Sequence, residues 1–216
     1  LPEFSASLDV LLTAMKPFVK KLAADAAHVE PLNEYEAALA AFRTDVDSFK
    51  AAVREQIEMW KMQDTNNGKL KQAVERLAPL AESSRDLVKQ TDLLYKLACR
   101  LIEICETECA ARDNVAWANR DITRDRKAAD QARQLIVEQL KLVRYFHRHA
   151  RWLTERFPEA KLCDVEGLVK LVDRAEIEAN DWSLTPGRYV GVAPEEVDED
   201  FDFEEALRDI HVELED

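Results

Sequence analysis

Glycine is scarce in this chain. Only four occur in 216 residues, at positions 68, 167, 187 and 191, where an average protein of this length carries about fifteen. The shortage excludes phosphate-cradling loops and dinucleotide fingerprints, which need glycine at fixed spacing. No Pro-Pro pair and no Gly-x-Gly is present either. No run approaches about eighteen consecutive apolar residues, so no membrane-spanning helix is expected. Cysteine is limited to positions 99, 105, 109 and 163. A disulfide framework belongs to much shorter, loop-rich secreted chains, so free thiols and a cytoplasmic setting are expected. The opening Leu1-Pro2-Glu3-Phe4 matches neither a signal peptide nor an initiator, and reads as the edge of a fragment.

Charge is abundant instead. Charged residues make up 34% of the chain and the formal net charge is −13, which argues against a simple basic nucleic-acid or membrane binder. The excess is local. Residues 193–216 hold twelve Asp/Glu and one Arg, a net −11, leaving −2 for everything before them. The body is therefore close to neutral.

Hydrophobic spacing predicts helices throughout the body. Leu8, Leu11, Leu12, Met15, Phe18, Val19, Leu22 and Ala26 step by three and four, the signature of an amphipathic helix. Ser5 or Ser7 could cap it. Pro17 is expected to kink or split it, and Pro31 to force a boundary near Val29-Glu30. Tyr35, Leu39, Phe42, Val46, Phe49 and Val53 form a heptad seam that Ile57 and Trp60 continue with one slip. A helix over 32–63 would be roughly 48 Å long at 1.5 Å per residue. Asp64 to Lys69, with Asn66-Asn67-Gly68 inside, then supplies turn chemistry.

Leu80, Leu87, Leu94 and Leu101 recur every seven residues, with Ala81, Val88, Tyr95, Ile102 and Cys109 one position on. An antiparallel helical hairpin follows from this repeat and the short turn before it. Pro79 is placed at this helix's start, with 70–78 a separate short turn. A break is expected over 112–122, where Asp113, Asn114 and Asn119 are poor helix formers. A fourth helix follows over 124–157, its stripe being Ile136, Leu140, Val143, Phe146, Ala150, Leu153 and Phe157, with Pro158 ending it. Leu162 to Ala179 is read as one more helix. Trp182 to Gly191 is read as an irregular docked segment, and 193–216 as an acidic linker leading into a further helix. The fold class expected is all-α: an elongated helical bundle or antiparallel coiled-coil hairpin (1–157), then a helix with an irregular docking segment (158–192), then the acidic tail (193–216).

Catalytic constellations are weak. Cys105, Cys109, His147 and His149 match no standard zinc spacing, and the two histidines point to different sides of a helix. No glycine-flanked serine on a strand–turn–helix elbow exists. A basic stripe is more informative. Lys141, Arg144, Arg148 and Arg151 step by three, four and three, and Arg120, Arg124 and Lys127 form a similar group upstream. Residues 120–156 hold ten Lys/Arg against five Asp/Glu. Such a row can track the phosphates of double-stranded DNA without reading bases. It can equally be a solvated face laced with intrahelical ion pairs. The acidic tail can likewise be a solvated linker, or a partner for a basic surface anchored by Phe201 and Phe203.

One segment carries a family resemblance. Cys163-Asp164-Val165-Glu166-Gly167-Leu168-Val169-Lys170, with Asp173-Arg174 and Glu176-Ile177, leads into Asn180-Asp181-Trp182-Ser183-Leu184-Thr185-Pro186-Gly187-Arg188-Tyr189-Val190-Gly191. It resembles the C-terminal part of the modification (DNA adenine-N6 methyltransferase) subunit of type I restriction-modification systems, whose tail follows the pattern Asn-Asp-x-x-Leu-x-Pro-x-Arg-Tyr-Val. The resemblance spans about 158–216 and is looser before that. It implies that Asp181, Trp182, Leu184, Pro186, Gly187, Arg188 and Tyr189 form a docking motif. It also implies a specificity subunit and a methyltransferase core of the same complex as partners. The parent subunit would use S-adenosylmethionine to methylate adenine N6. This chain lacks the family's cofactor and Asn/Asp-Pro-Pro-Tyr/Phe motifs, so no cofactor, metal or catalytic residue is expected on it. A purely structural coiled-coil scaffold and an unrecognised helical metalloenzyme are the alternative readings.

Overall fold

The computed structural model describes residues 1–24 and 29–193, together with Phe203, Leu207 and Ile210. The chain divides into two compact units, Leu1–Pro158 and Glu159–Asp216. Most of the acidic segment 193–216 lies outside the described residues.

The first unit is an all-α bundle of four helices: α1 (Pro2–Ala24), α2 (Val29–Met62), α3 (Asn67–Thr107) and α4 (Asn119–Arg156). Its core is the sequence stripes brought together. Leu8, Leu11, Met15, Phe18 and Leu22 of α1 meet Tyr35, Phe42 and Val46 of α2, Leu87, Leu94 and Leu101 of α3, and Ile136 and Leu140 of α4 in one cluster. Burying each Leu or Phe contributes on the order of 1.5–3 kcal/mol. Polar groups in the core are handled locally: buried Ser84 and Thr91 donate to the Ala81 and Leu87 carbonyls at 2.6 and 2.7 Å. The buried Tyr35 hydroxyl and Trp117 indole nitrogen have no hydrogen-bond partner.

The turn between α2 and α3 forms as its chemistry dictates. Asn66, in extended backbone, caps α3 by accepting from the Lys69 amide at 3.0 Å. The break between α3 and α4 begins earlier than the poor helix formers, at Glu108, and passes through Ala110 in the left-handed region (φ 45°) and a 3₁₀ turn at Ala111–Asp113. Trp117 closes it by packing edge-on against Phe18, ring centroids 5.0 Å apart.

Three expectations need correction. Pro17 sits inside α1 without splitting it. Pro79 is interior to α3, which runs unbroken from Asn67. A proline removes one amide donor, and packing along the rest of a long helix can outweigh that loss. The third correction concerns 162–179. Only α5 (Arg174–Ala179) is helical there. Gly167 takes φ +74°, and Val165 and Val169 exchange backbone hydrogen bonds at 2.7 and 2.8 Å around it. Asp164 accepts from the Leu171 amide (2.9 Å) and from Lys170 Nζ (2.5 Å). Side-chain acceptors and a left-handed glycine give this stretch a turn that competes with helix. The true helix start is marked by Asp173, which caps α5 by accepting from the Glu176 amide at 2.8 Å.

Candidate functional site

Large buried side chains give way to small ones near the level at which α1 begins. Phe4 packs edge-on against Phe42, centroids 5.9 Å apart, and Arg43 reaches Asp9 at 2.7 and 2.8 Å. These contacts place the start of α1 alongside the middle of α2. Beyond that level three helices continue together. Arg76 of α3 donates to Gln56 and Gln63 of α2 at 2.7 and 3.1 Å. The His147 ring on α4 lies 3.0 Å from the Val74 carbonyl of α3, and Asn67 donates to the Pro158 carbonyl. The last buried residue of α2 is Phe49 and that of α4 is Leu140, while the buried residues at this end of α3 are the small Ala73, Ala81 and Ser84.

The apolar rows do not stop with the burial. On α2, Ile57 and Trp60 continue the seam at 48% and 49% exposure. On α4, Leu135, Leu142, Phe146, His149 and Leu153 step by seven, four, three and four and share one face. Leu142, Phe146 and Leu153 are 44%, 64% and 53% exposed. Tyr145 stacks edge-on with both Phe146 and His149, ring centroids 5.4 and 4.2 Å away. The sequence stripe had joined Phe146 and Leu153 to Ile136 and Leu140 as one core face. They are in fact a second, uncovered row. Its 7-4-3-4 spacing sets the row apart on the helix, but spacing alone does not say which row is covered.

The basic row occupies another side of α4. At about 100° per residue, Lys141, Arg144, Arg148 and Arg151 centre roughly 150° around the helix from the open row. Lys141, Arg148 and Arg151 are exposed and Arg144 is half-buried. Arg151 pairs with Glu155 at 2.7 Å. In the upstream group, Arg120 and Lys127 are exposed. Arg124 is held by Asp121 (2.8 Å) and by the buried Asp125 (3.0 Å), and the bond to Asp125 first, then its charge, raises the guanidinium pKa. Arg133, which the sequence did not single out, bridges Asp92 of α3 (2.7 Å) and Asp130 (2.8 Å) and lies over Tyr95. Burial alone would lower its pKa, but these two bonds more than reverse that. The lower basic group thus ties α4 to itself and to α3.

Residues 159–193 of the second unit are built on turns around the short α5. None of residues 159–193 is buried. Asp181 and Trp182 both adopt the left-handed region, at φ 54° and 57°, a conformation that costs non-glycine residues on the order of 1–3 kcal/mol each. The turn is held by Trp182 N–H to the Ile177 carbonyl (2.9 Å), by the Tyr189 hydroxyl to the Ser183 carbonyl, and by Arg188 to the Asn180 carbonyl (3.4 Å). Pro186 and Gly187 open a 3₁₀ turn ending at Arg188. The motif thereby presents Trp182 at 54% and Leu184 at 77% exposure, with Arg174 over the Trp182 ring.

Among the described residues, no group of three or more His, Cys, Asp or Glu is placed to hold a metal ion. Cys105 is fully buried, and burial, with Cys109 and Glu106 adding, pushes its thiol up to about 12. Among the described residues, no helix is long and apolar enough to cross a membrane. No family model, curated protein or solved structure matches the chain.

Proposed function

We propose that this chain is a non-catalytic docking module whose open helix rows receive a helix of a partner protein. The observation that carries the reading is the row Leu142, Phe146 and Leu153, exposed on α4 beyond its last buried residue Leu140, with Ile57 and Trp60 exposed beyond Phe49 on α2. An amphipathic partner helix laid on the α4 row would supply there the kind of packing that α1 supplies at the other end of the bundle. The resemblance of 163–191 to the modification subunit of type I restriction-modification systems names the setting. The partner is then the specificity subunit. The Trp182-Leu184 turn seats against the methyltransferase core, and the parent subunit performs adenine-N6 methylation with S-adenosylmethionine. Lys141, Arg144, Arg148 and Arg151 would contact DNA phosphates in that assembly and carry no base specificity.

The test is co-purification with the specificity subunit. Wild type should co-elute, and Trp60→Asp with Phe146→Asp should abolish co-elution while helicity is retained. Unchanged co-elution of the double variant would overturn the docking site. Calorimetry with S-adenosylmethionine should show no binding, and micromolar affinity would overturn the non-catalytic reading. A second reading, a structural scaffold, is favoured for the lower half of α4 by the Arg124 and Arg133 ion pairs. A gel shift with duplex DNA at low salt separates the two: no shift removes the direct phosphate contact and leaves partner docking standing.

A further inference from the structure

We infer that Asn67 is a self-modification site. The backbone nitrogen of Gly68 attacks the Asn67 side chain, ammonia leaves, and the residue becomes aspartate or isoaspartate. The product releases the start of α3 from the end of α4. The inference is independent of the docking row.

Gly68 is the second residue of α3, and unlike Gly167 it does not take a positive φ. A Cβ added there would meet nothing nearer than Asn66 Oδ1 at 3.6 Å, an ordinary contact. Alanine would fit, and it favours helix over glycine. The fold therefore does not require this glycine. What glycine supplies at 68 is an unshielded backbone nitrogen directly after an asparagine. Asn-Gly occurs once in the sequence, since Asn33, Asn66, Asn114, Asn119 and Asn180 are each followed by a larger residue.

The chemistry needs only water. The Gly68 amide gives up its proton and its nitrogen bonds to Asn67 Cγ. The Cγ–Nδ2 bond breaks, and the leaving nitrogen takes up a proton as ammonia. Water then opens the resulting succinimide ring, at Cγ to leave aspartate or at the Asn67 backbone carbonyl to leave isoaspartate. The position suits each step. Gly68 and Lys69 are exposed, so water reaches the ring. The Gly68 amide precedes the first bond of the helix ladder, which runs from the Leu70 amide to the Asn66 carbonyl at 3.0 Å. Helix ends fray, which lets Asn67 leave its helical angles and bring Cγ onto the nitrogen. The opposing contact is the bond that Asn67 Nδ2 donates to the Pro158 carbonyl. It must open first, and it slows the reaction. The reaction then removes it for good, because a carboxylate has no donor to offer that carbonyl. The new negative charge is tolerated in the first turn of α3. Isoaspartate also adds a methylene to the main chain next to Asn66, and so disturbs the cap that Asn66 makes with the Lys69 amide at 3.0 Å.

Prolonged incubation of the full chain in warm, mildly alkaline buffer, followed by intact mass and peptide mapping, tests this. The mass should rise by about 1 Da as NH2 is exchanged for OH, and faster as pH rises. The change should map to Asn67. Gly68→Ala should keep the helicity and slow the reaction by about tenfold or more, because the added methyl crowds the attacking nitrogen. Asn67→Asp reproduces one product. It should keep the bundle folded and lose protection at the Phe157 amide, which bonds to the Leu153 carbonyl at 2.9 Å in the last turn of α4. An unchanged mass, a change that maps to another asparagine, or a Gly68→Ala chain that reacts as fast as wild type would overturn the site. Wild-type protection of Phe157 in Asn67→Asp would overturn the release of α4.

Discussion

Phe4 meets Phe42 edge-on at 5.9 Å, and that contact marks the level at which a four-helix core becomes a three-helix one. Below it, large side chains are sealed by α1. Beyond Phe49 the α2 stripe lies open at Ile57 and Trp60, and beyond Leu140 a second row on α4 is exposed. The boundary predicts a sharp contrast between two phenylalanines. Phe42→Ala should cost about 3–5 kcal/mol, because it leaves a cavity among fully buried neighbours. Phe146→Ala, at 64% exposure, should stay within about 0.5 kcal/mol. Urea unfolding of the two variants checks this, and comparable losses would show that α4 is covered at Phe146.

Gly167 offers a local test. Its φ is +74°, and a Cβ there would overlap the backbone and side chain of Ala193. Gly167→Ala should therefore disrupt the 164–193 turns at a cost above about 1 kcal/mol. The bundle's thermal transition should stay in place, since Gly167 belongs to the second unit. Amide exchange at Gly167, Val169 and Trp182 reads the local effect, and protection as in wild type would refute it.

The helices were legible because their stripes are long and periodic. Tyr35 to Phe49 and Leu80 to Leu101 repeat over several turns, and period alone places them. The irregular reading of 182–191 agrees with the structure, but 162–173 was read as helix because Leu168, Val169, Leu171 and Val172 fit a helical stripe equally well. What decided the outcome there was Asp164 capturing the Leu171 amide, a contact seven residues apart that no periodicity encodes. The open α4 row was hidden for another reason. Phe146 and Leu153 read as core until the length of α1 is known relative to α2, and that alignment is tertiary.

Asp164 also makes the second unit sensitive to acid. The bond from Lys170, then the Leu171 amide, holds its carboxyl below the ordinary value of 3.8. A depressed folded pKa gives stability that is present above 3.8 and lost as pH falls through the lower folded value. Amide exchange at Leu171, normalised for intrinsic rate, should accelerate below about pH 3.8 while the α1–α3 core amides keep their protection. Asp164→Asn keeps an acceptor but removes the charge, so it should flatten that pH dependence. If Leu171 is equally protected at pH 2.5 and pH 6, the carboxylate is not what orders this turn.

Tyr35 separates core packing from polar satisfaction. It is fully buried, its hydroxyl has no hydrogen-bond partner, and burial foremost pushes its pKa upward. A buried hydroxyl left unpaired costs on the order of 1–3 kcal/mol relative to water. Removing only that oxygen keeps the ring and its contacts. Tyr35→Phe should therefore be neutral or stabilise the bundle by about 1 kcal/mol, against the usual direction of core substitutions. Tyr35→Ala should lose about 3–5 kcal/mol through the cavity it leaves. Thermal melts of both variants distinguish the terms. A Tyr35→Phe loss above about 1 kcal/mol would mean that the hydroxyl is bonded in solution, through water or a shift of Asp9 and Arg43 toward it.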